Sequence, residues 1–229
     1  MKVLVTRPIE DGEDTARQLA LRAHQALVAP LLKTLFLDGP EVSLQDVQAI
    51  LATSANGVRA LVRRSARRDV PLFAVGPQTA AEAQRLGFAS VKSADGDAGA
   101  LALAAKNWAA PDKGALLHVA GEGNDGKLVQ MLAGFSVRRE ILYAVTAVEK
   151  MPEAAVLALR QNRIDAALFF SPRSASVFRD CAGQENLPID SVIAVCISQA
   201  AAAALAPLAF RQLLVAAKPN AASLLEVLD

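Results

Sequence analysis

A chain of 229 residues, 53% apolar and 21% charged, can bury the cores of two domains of ordinary size and is not disordered. Its net charge is +1, so no overall field selects nucleic acid or a membrane surface. The two cysteines, Cys181 and Cys196, argue against a disulfide framework, and no apolar run reaches the roughly 20 residues of a membrane span. The start, Met1-Lys-Val-Leu-Val, has no signal-peptide layout, so a soluble cytoplasmic protein with reduced thiols is expected.

Taken in chain order, Val3–Val5 reads as a buried strand, with Thr6-Arg7-Pro8 turning at its carboxyl end. Asp11 is placed to cap a helix with an apolar stripe at Ala16, Leu19, Ala20 and Ala23. Ala26–Ala29 is a second strand, ended by Pro30. The stretch Leu31–Leu37 is extended and apolar, without turn chemistry. Strands follow at Val47–Ala52, Leu72–Val75 and Ala89–Val91, and Asp97 caps a helix over Ala98–Lys106. A second β-α-β run begins at Leu116–Val119, with Gly121, Gly123 and Gly126 in its turn and Leu128 and Leu132 facing the core. Val137–Val145 is a long extended run holding Tyr143, the only tyrosine. A helix at Val156–Gln161 leads to strands at Ala166–Phe170, Val192–Val195 and Leu213–Ala216, each followed by a helix.

The chain repeats itself. Ile50–Leu61 is an apolar strand, a turn with hydroxyls and then helical spacing, and Ala167–Phe178 has the same layout. Phe73-Ala-Val-Gly-Pro-Gln-Thr-Ala-Ala81 answers to Ile193-Ala-Val-Cys-Ile-Ser-Gln-Ala-Ala201, and Asp97-Ala-Gly-Ala-Leu101 to Asn220-Ala-Ala-Ser-Leu224. Three matches in order indicate an internal duplication. Strands alternating with helices, the strands continuously apolar, predict two parallel sheets covered on both faces. Leu31–Leu37 and Leu142–Val148 read as a paired, two-stranded linker between domains. One domain then combines residues 1–32 with 149–229, the other is 37–141, and 33–36 with 142–148 are the linker strands. The N-terminal segment is thus swapped into the C-terminal domain.

Ligands of open α/β sheets bind beyond the carboxyl ends of the strands. That rule singles out Arg7, Thr53 and Ser54, Gly76 through Thr79, Ser171 through Ser174, and Ser198 with Gln199. Each turn opens a helix, whose free N–H groups and positive dipole end suit carboxylates or phosphates. Each hydroxyl is equally able to be an ordinary N-cap, but their occurrence in duplicated pairs favours an anion-binding cleft between two domains. Gly121-Glu-Gly-Asn-Asp-Gly126 has the G-x-G-x-x-G spacing after a strand, which leaves a dinucleotide-binding oxidoreductase as an alternative. Its acidic residues would crowd a pyrophosphate. Arg59, Arg63 and Arg67, with Arg64 and Arg68, read as a solvated basic face on one helix. No Cys–His cluster suggests a metal site and no G-x-S-x-G elbow suggests a serine hydrolase. Trp108 reads as half-buried packing. Tyr143, at the expected domain junction, is either an interface aromatic or a phenol serving as donor or weak acid.

Val5-Thr-Arg-Pro8, Thr53-Ser-Ala-Asn-Gly57 (with Asn56), Ala74-Val-Gly-Pro-Gln-Thr79, Leu142-Tyr143 and Phe169-Phe-Ser-Pro-Arg173, in this order and spacing, resemble the uroporphyrinogen-III synthase family across essentially the whole chain. The resemblance implies two flavodoxin-like domains joined by a two-stranded ladder. It implies a cofactor-independent hydro-lyase of tetrapyrrole (haem) biosynthesis, which cyclises the linear tetrapyrrole hydroxymethylbilane to uroporphyrinogen III with inversion of ring D and loss of water. By the same resemblance Tyr143 is the tyrosine that assists departure of the ring-A hydroxyl. Ser54, Thr79 and Ser171 are hydroxyls lining the cleft, and Ser198 and Gln199 stand where relatives carry paired threonines. The departures are Cys196-Ile197 in place of a glycine-containing turn, and Ala120 where many relatives carry arginine; they shift the carboxylate grip toward backbone groups and Arg7. A monomer is expected, in transient contact with the enzyme that makes hydroxymethylbilane, and without nucleic-acid or membrane partners. A non-enzymatic two-domain anion-binding or sensor protein is the alternative from another class.

Overall fold

The computed structural model describes residues 1–123 and 126–229. Its elements run in chain order as β1 (Lys2–Val5), α1 (Ile9–Leu21), β2 (Gln25–Val28), β3 (Leu32–Phe36), β4 (Val47–Ala52), α2 (Ala55–Arg64) and β5 (Leu72–Ala74). Next come α3 (Pro77–Arg85), β6 (Val91–Ser93), α4 (Ala98–Trp108), β7 (Ala115–Gly121), α5 (Lys127–Met131) and β8 (Val137–Ala147). The last are α6 (Glu153–Arg160), β9 (Ala166–Phe169), α7 (Pro172–Gln184), β10 (Ile193–Cys196), α8 (Gln199–Ala203), β11 (Gln212–Val215) and α9 (Ala221–Glu226). The chain divides into two units, Met1–Lys33 with Thr146–Asp229, and Thr34–Val145.

The first unit holds a five-stranded parallel sheet in the order β11-β10-β9-β1-β2. Counted within the unit this is the flavodoxin-like order 2-1-3-4-5. β9 (Ala-Ala-Leu-Phe) is buried along its whole length, as a central strand covered on both faces must be. One face packs Phe169 edge-on to Phe178 at 5.1 Å beneath α7, and the other packs Val5, Leu19, Leu168 and Leu225. Fully burying a side chain such as Phe169 contributes about 1.5–3 kcal/mol.

The sheet containing the second unit's strands has the order β3-β8-β7-β4-β5-β6. From β8 to β6 neighbouring strands are parallel. β3 is added at the edge: Leu37 N–H donates to the Leu142 carbonyl at 2.9 Å, and Val148 N–H to the Leu31 carbonyl at 3.0 Å. Rising numbers on β8 thus meet falling numbers on β3, an antiparallel pairing that makes the sheet mixed. Without β3 the spatial order β8-β7-β4-β5-β6 repeats that of the first sheet. The strands β4, β5 and β6 take the places of β9, β10 and β11, while β7 and β8 take those of β1 and β2. The second unit is therefore the first with its chain order permuted: the pair that comes first in one comes last in the other.

Several local expectations change. α1 starts at Ile9 with Pro8 as its N-cap, so Asp11 lies inside the first turn and pairs with Arg7 instead of capping. The buried face of α1 is Gly12, Thr15 and Leu19, while Ala20 and Ala23 are exposed. Gly12 is the point of contact, because a Cβ there would stand 2.7 Å from Val28 Cγ1. The strand expected at Ala89–Val91 pairs with β5 over Val91–Ser93, after a left-handed turn at Gly87 (φ 93). The stretch expected to be a separate linker at Leu142–Val148 is continuous with the strand before it as the single β8. The basic face also dissolves. α2 ends at Arg64, with Ser65 extended, so Arg67 and Arg68 leave the helix. Arg67 pairs with Asp69, and Arg68 sits over Phe88. Arg59 has a side chain only 11% exposed and bonds Glu82.

Candidate functional site

In the second unit β4 ends at Ala52 and α2 begins at Ala55, which leaves Thr53 and Ser54 in the turn. Ser54 is extended, and its Oγ accepts the Gly57 N–H at 3.1 Å, an N-cap. Gly57 is required for contact: a Cβ would stand 2.9 Å from the Val119 carbonyl oxygen on β7. Ser54 Oγ also lies 2.7 Å from the Tyr143 hydroxyl. β8 is two strands from β4, so the phenol reaches Ser54 across the end of β7. Two features allow it. The β7–β8 register shifts between Ala120↔Ile141 and Gly121↔Tyr143, leaving Leu142 as an extra residue. That bulge brings Leu142 and Tyr143 against one apolar cluster, whereas unbroken alternation would send them to opposite faces. The second feature is Gly121 at the end of β7. A Cβ there would meet Tyr143 Cζ at 2.7 Å and the phenol oxygen at 3.1 Å. The first glycine of the G-x-G-x-x-G run, which a dinucleotide fingerprint uses for its tight turn, is here the seat of the tyrosine ring; Asn124 and Asp125 of that motif lie outside the described residues.

Asn56 is engaged at both ends, its Nδ2 donating to Thr34 Oγ1 at 3.1 Å and its Oδ1 accepting from Arg59 Nη1 at 2.9 Å. Gly76 is the N-cap of α3, and no side chain caps this helix among the described residues. Nothing described lies within 4 Å of where a Gly76 Cβ would stand, so a side chain added at this cap would meet open space. Thr79 is buried in the first turn of α3.

In the first unit Arg7 follows β1 and Ser171 follows the adjacent β9. Arg7 donates to Asp11 at 3.0 Å, and its guanidinium lies 4.4 Å over the Phe170 ring. Ser171 Oγ accepts the Ser174 N–H at 3.1 Å and caps α7. The buried Ser174 hydroxyl turns back to the Ser171 carbonyl at 3.0 Å. Arg173 is exposed on the first turn of α7. Ser198 caps α8 through the Ala201 N–H at 3.3 Å, and Gln199 beside it is exposed. β10 runs to Cys196 where its counterpart β5 stops at Ala74, and α8 accordingly begins later. Of the Cys196-Ile197 departure, Cys196 thus ends the longer strand and Ile197 lies in the turn before Ser198.

The groups that sequence reasoning missed are glycines and buried ions. Gly57 and Gly121 read as turn formers, while their use is close approach. The Arg85 guanidinium, with Arg59 beside it, holds the Glu82 carboxyl down to about 2 despite burial. His118 on β7 is fully buried with neither ring nitrogen bonded among the described residues. Burial, aided by the charge of Arg139, pushes its imidazole down to about 4. Burial pushes the Cys196 thiol up to about 11, so it is not a poised nucleophile. Among the described residues no group of three or more His, Cys, Asp or Glu could hold a metal ion, and no helix is long and apolar enough to cross a membrane.

Two flavodoxin-like units with polar groups on the turns after parallel strands define a class, the two-unit α/β proteins whose helices start at the carboxyl ends of the strands. The particular family follows from the sequence match: the family model for uroporphyrinogen-III synthase HemD matches residues 13–226, and the chain belongs to that family. The fold is similar to that of uroporphyrinogen-III synthetase from Helicobacter pylori, with a TM-score of 0.61 at 15% identity, covering 99% of this chain and 97% of that one. It is also similar to a mutant uroporphyrinogen III synthase from Thermus thermophilus, with a TM-score of 0.50 at 17% identity, covering 100% of this chain and 97% of that one. No curated protein matches the chain significantly.

Proposed function

We propose that this protein is a uroporphyrinogen-III synthase in activity as well as in family. It cyclises hydroxymethylbilane to uroporphyrinogen III, with loss of water and inversion of ring D. The observation that carries the reading is the family match over residues 13–226. The Tyr143–Ser54 contact supports it, because it puts a phenol beside a helix start.

In this reading the ring-A hydroxyl leaves as water, driven by the pyrrole nitrogen and helped by a hydrogen bond or proton from Tyr143. The azafulvene left behind is attacked by the substituted carbon of ring D, giving a spiro intermediate that rearranges to the inverted macrocycle. The protein's main task is to fold the linear chain so that ring D attacks through that carbon, which is positioning catalysis. The substrate's carboxylates meet helix starts: the uncapped α3 at Gly76, and the turns at Thr53 and Ser54, Thr79, Ser171, Arg173 and Ser174, and Ser198 with Gln199. Arg7 adds a cation. Asn56 shapes the Ser54 turn through Thr34 and Arg59. The reaction in this reading uses no cofactor, and the protein acts as a cytoplasmic monomer.

The test is a coupled assay in which purified protein receives freshly made hydroxymethylbilane and the product isomers are separated. Type III product above the spontaneous type I background is expected. Tight substrate binding with only type I product would instead make the protein a non-enzymatic tetrapyrrole or anion binder.

A further inference from the structure

Ser54 has one proton and two acceptor positions on its oxygen. The Gly57 N–H at 3.1 Å takes one acceptor position, and the Tyr143 hydroxyl at 2.7 Å is the other partner. Two arrangements fit that distance. If the phenol donates to Ser54, the Ser54 proton has no acceptor among the described residues and the phenol proton is spent inside the protein. If Ser54 donates to the phenol oxygen, every proton in the chain is used except that of the phenol, which stays available to a ligand. An O–H whose oxygen accepts an N–H is also a stronger donor, since hydrogen bonds in a chain polarise one another.

We propose that Ser54 is a positioning residue that donates to Tyr143, so that a directed chain runs from the Gly57 N–H through the Ser54 hydroxyl to the phenol and on to the leaving oxygen of the substrate. The role assigned to the phenol rests on the proposed synthase activity; the direction of the chain is a property of the free protein. The positive end of α2 feeds this chain, so charge developing on the phenol oxygen as its proton moves outward is met by the Ser54 donor. The ring is fixed for this by its seat on Gly121 and by the bond from Glu122 N–H to the Tyr143 carbonyl at 2.8 Å. No atom of Ser54 need touch the reacting carbon. The matched Ser171 has no such partner: its Oγ faces Ser174 Oγ at 3.1 Å.

Because Tyr143 is the only tyrosine, the ultraviolet resonance Raman doublet of the chain reports one phenol and distinguishes donor from acceptor states. The spectrum is read on the free protein, without substrate, for wild type, Ser54→Ala and Ser54→Thr. The expected result is an accepting phenol oxygen in wild type, a shift toward a donor-only phenol in Ser54→Ala, and return of the wild-type doublet in Ser54→Thr, which keeps the hydroxyl and the cap. The opposite shift, or none, overturns the proposal whatever the activity. In turnover, Ser54→Ala is expected to lower kcat by about tenfold or less with KM little changed, one decade being about 1.4 kcal/mol. Introduced into Tyr143→Phe, the same change should cost nothing further in kcat. A full additional loss there also overturns it, whereas absence of type III product in wild type would remove the synthase reading and leave the spectroscopic result standing.

Discussion

Ser54 and Ser171 stand at matched turns of the two units, and each accepts the N–H three residues on at 3.1 Å. The backbone task is the same in both copies. What differs is where the hydroxyl points: in the second unit to Tyr143 at 2.7 Å, in the first to Ser174 at 3.1 Å. The strand orders match, but the chain enters them at different places, so Tyr143 comes from a strand whose counterpart is β2. The comparison teaches that duplication preserves the helix cap, which the fold needs, and frees the hydroxyl's second contact to diverge. Position for position, the paired registers Leu51↔His118 and Leu168↔Val5 place His118 where the first unit has Val5. Ala120 then corresponds to Arg7, so a cation stands at this place in one unit and a methyl group in the other.

The severest way to break the comparison is to unseat the ring. Gly121→Val puts a side chain where Tyr143 Cζ would lie 2.7 Å from its Cβ. Overpacking of that kind typically costs about 1–3 kcal/mol. Loss of the phenol's position should lower kcat by as much as removing its hydroxyl does, up to about 10²-fold. Urea unfolding and steady-state kinetics on one preparation check both; unchanged kcat would show that the seat is irrelevant.

The next effect separates His118 from Val5. An imidazole whose folded pKa is about 4, against an ordinary 6.5, binds its proton more readily when the chain unfolds. Stability is therefore full above pH 6.5 and falls as pH drops from 6.5 toward 4, by on the order of 3 kcal/mol. His118→Val, which copies the first unit, should flatten that limb. Denaturation midpoints across the range measure it, and an equal slope in both proteins would place the acid sensitivity elsewhere.

Smaller again is the cap itself. Ser54→Ala and Ser171→Ala should each cost about 1 kcal/mol of stability, since each removes one N-cap. Only the first should lower kcat. Equal kcat losses would mean that the two turns still do one job. Least of all is Gly76→Ser, which gives α3 a capping hydroxyl worth a few tenths of a kcal/mol over glycine. Stability should rise slightly while KM rises, if the uncapped N–H groups hold a substrate carboxylate; unchanged KM would assign them no such role.

Much of this was legible in the sequence, and what was not has physical reasons. The duplication, the parallel sheets and the turn at Thr53-Ser54 follow from apolar runs ending in small polar residues. Tyr143 stands out as the sole tyrosine. Its contact with Ser54 is not readable, because it depends on which strand lies beside β7 and on one extra residue, Leu142, in that pairing. The permutation was hidden for a similar reason: the matched motifs cover the strands from β4 to β6 and from β9 to β11, while β1 and β7 share no motif. Asp11 misled because a carboxylate near a helix start can cap it or pair within it, and Arg7 four residues earlier decides for pairing. Arg59 looked solvated because its spacing fits a helix face, but the partner that covers it, Glu82, lies on α3.

The central claim, that the second unit's phenol serves the leaving step while the turns at the helix starts choose the ring, is tested most directly by Tyr143→Phe in the isomer-resolved assay. That change keeps the ring on Gly121 and removes one oxygen. The account predicts near-wild-type stability, kcat reduced toward the low end of the roughly 10²–10⁴-fold range of general acid help or below it, and residual product still mainly type III. An unchanged kcat would make Tyr143 a packing residue, and a switch to the type I isomer would mean that the hydroxyl governs ring choice; either result contradicts the claim.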